Sequence, residues 1–219
     1  MSDVSAPEFW DDAYRLERDG WDMGTPTPVF VELLNSTRGD FTEIGGPDYR
    51  QYDPLPRVAM PCSGRGYDAI LFSEFGFEVT AIDFSEKALE SLHEPAAATP
   101  ALNVLHADMF AMGVTHAAAF DLLVEYTCVC AIDPARRAEL VDVMAAMLVP
   151  GGHALLLLFP VDGRPGGPPF AIDVEEWNAM MSLHFDKVYD AVPTTSVKPR
   201  RDRERLMLWR KRASEGARQ

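Results

Sequence analysis

The sequence predicts an α/β fold on a mostly parallel sheet, and three observations support this prediction. From Arg57 onward, apolar strand patterns alternate with helical patterns. The run H-A-L-L-L-L-F-P, residues 153–160, is apolar without alternation, which is typical of a parallel strand buried on both faces. The last two strand patterns, F-D-K-V-Y-D-A-V-P and R-E-R-L-M-L-W-R-K-R, have no helix between them and are therefore expected to be antiparallel. We expect seven strands, with one antiparallel strand near the C-terminus.

Length and composition indicate a single globular domain, residues 1–219, with an acidic surface. The chain has 34 acidic and 20 basic residues, so its formal net charge is -14. This charge repels phosphate backbones and anionic lipids, and we expect neither a nucleic-acid nor a membrane partner. The sequence shows no signal peptide and no run of about 18 apolar residues. We therefore expect a cytoplasmic protein that acts on a small molecule; the pattern does not indicate an oligomeric state.

The three cysteines, Cys62, Cys128 and Cys130, form neither an even-numbered disulfide framework nor a zinc-type set. We expect reduced thiols and no metal site. Cys128 and Cys130 are two residues apart at the end of a predicted strand, so both are expected on one face in a packing role.

Ahead of the sheet, residues 1–40 are predicted to form an N-terminal cap. Pro7 to Gly20 has amphipathic helical spacing. Pro26 and Pro28 prevent a regular helix across W-D-M-G-T-P-T-P, and V-F-V-E-L-L follows as a second helix. The stretch from Asn35 to Pro56 is rich in Gly, Pro and polar residues and is predicted to be a loop.

The predicted core spans residues 57–210. Its first four strands are R-V-A-M-P, F-E-V-T-A-I-D, L-N-V-L-H-A-D and F-D-L-L-V-E-Y. Helices are predicted at Y-D-A-I-L-F-S-E-F, after the capping residue Ser85, from Pro134 to Leu148, and from about Asp173. The basic string K-P-R-R-D-R-E-R, residues 198–205, is interrupted by acids in a strongly negative chain, and is predicted to be a solvated turn.

Three strand ends together outline a nucleoside site. Gly64 and Gly66 follow the first strand, where only glycine lets the backbone approach a ligand closely. Asp83 ends the second strand 19 residues after Gly64, the spacing that places a carboxylate against ribose hydroxyls. Asp108 and Met109 follow the third strand, where an adenine would lie. Each feature alone also fits a structural role, such as a helix cap; their joint placement predicts an adenosine-containing cofactor.

The identity of that cofactor depends on the end of the chain. Nicotinamide-dependent dehydrogenases share the glycine turn and the acidic strand end, so an oxidoreductase is one alternative. The terminal antiparallel hairpin instead favours the seven-stranded sheet of methyltransferases. A protein that binds the sulfonium cofactor of methyltransferases but catalyses no reaction is a further alternative.

Five segments carry a more specific resemblance. In order they are G-W-D-M-G-T-P-T-P, P-C-S-G-R-G-Y-D, E-Y-T-C-V-C-A-I, L-V-P-G-G-H and F-P-V-D-G-R-P-G-G-P-P-F. From Phe9 to about Phe185 the chain resembles the thiopurine, thiol and halide methyltransferase family, most closely its thiocyanate, halide and thiol branch. The resemblance implies a Rossmann-like class I fold, S-adenosylmethionine as cofactor and S-adenosylhomocysteine as product. It implies direct displacement by a thiol, hydrosulfide, thiocyanate or halide, with a thiopurine-like or phenolic metabolite as the alternative acceptor.

The same resemblance implies roles for individual residues. The implied cofactor contacts are Trp10, Tyr14, Trp21, Gly64, Asp83, Asp108, Met109 and Glu125, with Trp10 and Phe170 in the substrate pocket. Anchoring of the N-terminal helix is the alternative role of Trp10 and Trp21. The chain departs from the family at three positions: Met60 replaces a strand-end acid, Cys62 stands where Pro-Gly is common, and Phe170 stands where tyrosine is frequent.

Displacement by a soft nucleophile requires alignment and the removal of water, and no general base is obligatory. Candidate bases are therefore named by sequence position only. They are Tyr126, Asp162 and His184, together with Glu125.

Overall fold

A computed structural model describes residues 4–213 and contains one sheet of seven strands. The strands are β1 (Arg57–Pro61), β2 (Glu78–Asp83), β3 (Leu102–His106), β4 (Phe120–Tyr126), β5 (Leu148–Leu158), β6 (Phe185–Ala191) and β7 (Arg205–Lys211). Their order is β3-β2-β1-β4-β5-β7-β6. Strand β7 is antiparallel to both β5 and β6, and the other neighbouring pairs are parallel. This confirms the predicted mostly parallel sheet with one reversed strand.

Helices flank the sheet and several begin at a capping side chain. They are α1 (Pro7–Arg15), α2 (Pro28–Thr37), α3 (Tyr67–Glu74), α4 (Glu86–Leu89), α5 (His93–Ala98), α6 (Met109–Thr115), α7 (Arg137–Met147) and α8 (Val174–Met181). The side chains of Ser85, Asp108 and Asp173 accept hydrogen bonds from the first backbone N–H groups of α4, α6 and α8. Within residues 4–213, every helix is too short or too polar to cross a lipid bilayer.

Two apolar clusters cover the two faces of the sheet. One contains Trp177 of α8 and Met144 of α7, packed against strand residues such as Leu156. The other contains Phe30 of α2 and Phe72 of α3. All five side chains are buried. Strand β5 contributes to both clusters, which explains its continuous apolar run.

The segment predicted as a loop from Asn35 to Pro56 is more ordered than expected. Helix α2 continues to Thr37, and short 3-10 turns occur at Thr42–Ile44 and Tyr49–Gln51. Phe41 and Tyr49 are buried, with ring centroids 5.4 Å apart, and both contact the buried ring of Phe77. Burial of this aromatic surface stabilises a segment whose Gly and Pro content indicated a loop.

Other element boundaries also differ from the predictions. Helix α1 ends at Arg15 and not at Gly20, and the predicted helix from Pro134 begins as a 3-10 turn. Leu148 is the first residue of β5, which ends at Leu158, so this strand starts earlier and ends earlier than predicted. Helix α6 was not predicted. The domain boundaries, with a cap over 1–40 and a core over 57–210, stay a prediction, and residues 1–3 and 214–219 lie outside the described part.

We predict that Phe41→Ala lowers the free energy of unfolding by about 3–5 kcal/mol, because it opens a cavity in a buried aromatic cluster. Chemical denaturation measures the change. Leu55→Ala is the matched control in the same segment: Leu55 is 47% exposed, and its truncation is expected to cost no more than about 0.5 kcal/mol. Equal and small effects for both variants would show that the segment is not packed.

Candidate functional site

A cavity of about 580 Å³ lies at the carboxyl edge of the sheet, beneath the N-terminal segment. The carboxyl ends of parallel strands meet at one edge, so the turns that follow β1 and β4 both reach it. The residues that line the cavity include Trp10, Tyr14, Trp21, Gly64 and Asp83. The structure thus brings together five of the residues that the sequence singled out.

The turn after β1 requires glycine at two positions. Gly64 has φ +54° and Gly66 has φ +74°, in the left-handed region that favours glycine. A Cβ on Gly64 would lie 3.1 Å from the Tyr14 hydroxyl, and one on Gly66 would overlap the side chain of Leu92 at 2.2 Å. The turn therefore leaves its backbone open to the cavity.

Asp83 fixes that turn from the end of β2. Its Oδ2 accepts a hydrogen bond from the Gly64 N–H at 2.9 Å, and its Oδ1 accepts one from the Ser85 N–H at 2.9 Å. Burial raises the pKa of the Asp83 carboxyl, while these backbone donors oppose the shift. Because the two carboxylate oxygens together have about four lone-pair sites, the backbone donors do not use them all, and a ligand hydroxyl can bind to the side chain. The side chain thus fits a pair of vicinal ribose hydroxyls.

Aromatic groups from the N-terminal segment cover the same cavity. Trp21 Nε1 donates to the Tyr14 hydroxyl at 3.3 Å, and the Trp10 and Tyr14 rings meet the Trp21 ring edge to face at 5.3 and 5.5 Å. Burial raises the pKa of Tyr14, and the nearby charge of Asp83 raises it further. Tyr14 is therefore a neutral phenol at physiological pH.

Polar contacts fasten this segment to the core. The Arg65 guanidinium, in the glycine turn, pairs with Asp19 at 2.7 Å and with Asp22 at 2.6 Å. The Asp68 carboxylate of α3 accepts hydrogen bonds from the backbone N–H and the hydroxyl of Thr27, both at 2.7 Å. These contacts hold the aromatic cover closed over the cavity.

Asp108 and Met109 lie beside the main cavity and not in its wall. Both line a smaller cavity of about 40 Å³, whose wall shares Cys62 and Asp83 with the larger one. Asp108 caps α6, its Oδ1 accepting from the Phe110 N–H at 2.9 Å. The smaller cavity extends the site past Asp83, in the direction where the sequence suggested an adenine.

Glu125 is not among the residues that line either cavity. It is buried in β4, and its Oε1 accepts a hydrogen bond from the Val129 N–H at 2.9 Å. Burial raises the pKa of Glu125 to about 7. In this position Glu125 holds the turn after β4. Its neighbours Val124 and Tyr126 line the cavity, whereas Glu125, which was predicted to contact the cofactor, does not.

Phe170 is likewise outside the lining of the cavities. Its N–H donates to the Cys130 carbonyl at 2.7 Å, and Arg137 donates to its carbonyl at 3.1 Å. These bonds anchor the end of the Gly- and Pro-rich insert, residues 161–170. The insert instead contributes Arg164, Pro168 and Pro169 to the cavity wall.

Among the four candidate bases, Tyr126 alone lines the cavity in the described structure. Asp162 is exposed and accepts hydrogen bonds from Arg164 and Arg203. His184 pairs with Asp142 of α7 at 2.7 Å. Asp162 thus orients two arginines of the wall, and His184 takes part in a contact between the end of α8 and α7.

The prediction that residues 198–205 form a solvated turn is wrong for two of its members. Arg200 is 5% exposed and Glu204 is 2% exposed. The Arg200 guanidinium donates to the Trp21 carbonyl at 2.6 Å and to the Tyr126 hydroxyl, and lies 5.0 Å from the ring centroid of Phe159. These acceptors and aromatic faces compensate for the loss of water around the charge. The sequence carried no signal for this burial.

The cysteines also depart from expectation. Cys62, in the turn after β1, and Cys128, in the turn after β4, form a disulfide with a Cα–Cα distance of 5.4 Å. Strands β1 and β4 are neighbours, so residues distant in sequence meet there. Because β4 ends at Tyr126, the shared-face argument for Cys128 and Cys130 does not apply. Cys130 is a buried free thiol that donates to the Thr127 carbonyl at 3.2 Å.

Comparison with known proteins identifies the family. Residues 5–212 match the model of the family described as Thiopurine S-methyltransferase (TPMT). The chain is 30% identical to a probable thiol methyltransferase 2 of Arabidopsis thaliana over 206 residues, 92% of this chain and 84% of the relative. It is 27% identical to thiocyanate methyltransferase 1 of the same plant with the same coverage.

A solved structure supports the fold independently. The 1,6-didemethyltoxoflavin-N1-methyltransferase of Burkholderia thailandensis, crystallised with S-adenosylhomocysteine, superposes with a TM-score of 0.68 at 19% identity, covering 95% of this chain and 88% of that one. These findings confirm the resemblance and the cofactor, and they argue against the oxidoreductase alternative. The chain belongs to the thiopurine S-methyltransferase family and is an S-adenosylmethionine-dependent methyltransferase.

Proposed function

We propose that the protein transfers the methyl group to a small soft nucleophile, such as a thiol, hydrosulfide, thiocyanate or halide. The observation that carries this proposal is the excess of positive charge in the cavity wall. In a chain with a net charge of -14, five arginines and three aspartates among the described residues line this cavity. Arg200 and Arg203 lie over the ring of Phe159, and Arg200 also lies over the ring of Tyr126. Guanidinium groups attract a small anion, and the aromatic rings suit a polarisable one. The names of the two Arabidopsis relatives support the same class of acceptor.

Different residues of this chain suit different parts of the cofactor. Bound S-adenosylmethionine supplies a methyl group on a positively charged sulfur. The open backbone at Gly64 and the free lone pairs of Asp83 suit the adenosyl part, with Asp108 and Met109 toward the adenine. The cover formed by Trp10 and Trp21 presents aromatic faces, which attract a sulfonium cation and exclude water from the transfer.

The acceptor class is tested with labelled S-adenosylmethionine and a panel of iodide, thiocyanate, hydrosulfide, alkyl and aryl thiols, a thiopurine and phenols. We expect transfer to the sulfur and halide nucleophiles, because the wall combines positive charge with aromatic surface. Turnover confined to the phenols would contradict the proposed class, and turnover of the thiopurine alone would favour the alternative acceptor.

We predict that Asp83→Ala weakens the binding of S-adenosylhomocysteine by roughly tenfold or more, because the ribose hydroxyls lose a charged acceptor. Isothermal titration calorimetry measures the affinity. Asp173→Ala removes a comparable capping carboxylate from α8 and is expected to cost about 1 kcal/mol of stability without changing this affinity. Equal affinities of the wild type and Asp83→Ala would remove Asp83 from the site.

We predict that Trp21→Ala weakens the binding of S-adenosylmethionine about 3- to 30-fold and that of S-adenosylhomocysteine less, because the former alone carries the sulfonium charge. Parallel calorimetric titrations with the two ligands measure this difference, and Trp21→Phe, which keeps an aromatic face, is expected to restore most of it. If both ligands lose affinity equally while the melting temperature falls, Trp21 serves to anchor the N-terminal segment.

A further inference from the structure

The Tyr126 hydroxyl lies between two buried groups of opposite charge. It donates a hydrogen bond to Glu204 Oε1 and accepts one from the Arg200 guanidinium. Arg200 lies in the segment before β7, and Glu204 immediately precedes Arg205, the first residue of β7. Tyr126 and Arg200 line the cavity, whereas Glu204 lies behind them.

This arrangement makes the hydroxyl able to accept and donate a proton at the same time. Burial raises the pKa of Tyr126, so the phenol keeps its proton at physiological pH. A phenolic oxygen has two acceptor lone pairs, of which the Arg200 bond uses one, and a cavity ligand can donate to the other. The phenolic proton already points to a carboxylate oxygen.

The acceptors considered under the proposed function differ in whether they carry a proton. Thiocyanate and halide ions have none to lose. An alkyl thiol, whose pKa is at or above the value of about 8.5 found for free cysteine, is mostly protonated at neutral pH and must release its proton for the methylated product to be neutral. Since the aromatic cover restricts water, a thiol that binds with its proton needs a group of the protein to take that proton, whereas a thiolate formed in solution does not.

Other described side chains are less suited to that task. The residues that line the cavity include no histidine in the part of the chain that the structure describes. Both oxygens of Asp68 accept hydrogen bonds from Thr27, and both oxygens of Asp83 accept backbone N–H groups. Asp22 pairs with Arg65, and burial raises the pKa of the Cys130 thiol, which therefore keeps its proton. The charged groups that face the Tyr126 hydroxyl are Arg200 and Glu204.

We propose, on the basis of the proposed function, that Tyr126 and Glu204 form a proton relay that serves acceptors with an S–H bond. The thiol proton passes to Tyr126 Oη as the phenolic proton passes to Glu204 Oε1. The sulfur electron pair forms the new bond to the methyl carbon, and the pair of the broken carbon–sulfur bond stays on the departing S-adenosylhomocysteine. Glu204 then loses its proton to solvent, and Arg200 balances the negative charge that develops on the acceptor sulfur.

The relay predicts that two variants lose activity on alkyl thiols much more than on thiocyanate. Tyr126→Phe removes the hydroxyl but keeps the ring. Glu204→Gln keeps an oxygen that can accept the Tyr126 bond but cannot take up the proton. In both, kcat for an alkyl thiol is expected to fall about 100-fold relative to kcat for thiocyanate. An electron-poor aryl thiol that is already ionised at the assay pH is expected to behave like thiocyanate.

The pH dependence gives a second readout. In both variants the reaction must use thiolate formed in solution, so the alkyl thiol rate is expected to rise about tenfold per pH unit below the thiol pKa. The wild type is expected to show a flatter profile. S-adenosylhomocysteine affinity, measured by calorimetry, is expected to be retained in both variants. Tyr52→Phe makes the same chemical change at a residue that is 39% exposed and outside the cavity wall, and should leave the acceptor ratio unaltered.

The outcomes separate the relay from the proposed function. Parallel changes for the alkyl thiol and thiocyanate overturn the relay, because the relay acts only on the acceptor that carries a proton. A wild type that methylates thiocyanate but no thiol also overturns the relay and leaves the proposed function standing. A wild type inactive on every thiol and anion overturns both.

Discussion

The apolar character of the central strands limits where this protein can place polar groups. In β1 and β4 most side chains are buried from both faces, and an unpaired polar group there would cost several kcal/mol, roughly 2–7 by transfer data. Polar and open positions are therefore found mainly at the strand ends. Because β1, β2 and β4 are parallel and joined in one sheet, the Gly64 turn, Asp83 and Tyr126 all meet at one edge. The cavity is a consequence of that constraint.

The predictable parts of the fold are those that depend on residues close together in the sequence. The continuous run of β5, the cap Ser85 and the start of a helix near Asp173 needed no knowledge of distant contacts. Helix α6 was missed because it has only seven residues and contains Gly113, at which a Cβ would lie 3.3 Å from Ala146 of α7. Its position depends on close packing against another helix. The same holds for Phe41, whose burial depends on partners outside its segment.

The residues of the site also fall into those that the sequence could predict and those that it could not. Trp21, Gly64 and Asp83 could be found from spacing and resemblance, since each lies in a motif. Arg200 and Glu204 could not, because their partners are remote: Arg200 contacts Tyr126 across 74 residues and Trp21 across 179. A string of alternating charges has the same composition whether solvent or aromatic side chains surround it. The tertiary fold decides between these environments, and here it turns two charges of that string inward.

The electrostatics of the cavity suit a reaction between a cation and an anion. Burial raises the pKa of both Tyr14 and Tyr126, so these two phenols are neutral at physiological pH. Two charged groups of the wall have partners within the protein: Asp83 accepts hydrogen bonds from backbone N–H groups, and Arg200 donates to the Trp21 carbonyl. A sulfonium and a soft anion bound together in this cavity would also attract each other. Because their attraction strengthens as water is excluded, closure of the aromatic cover both aligns the reactants and increases the force between them.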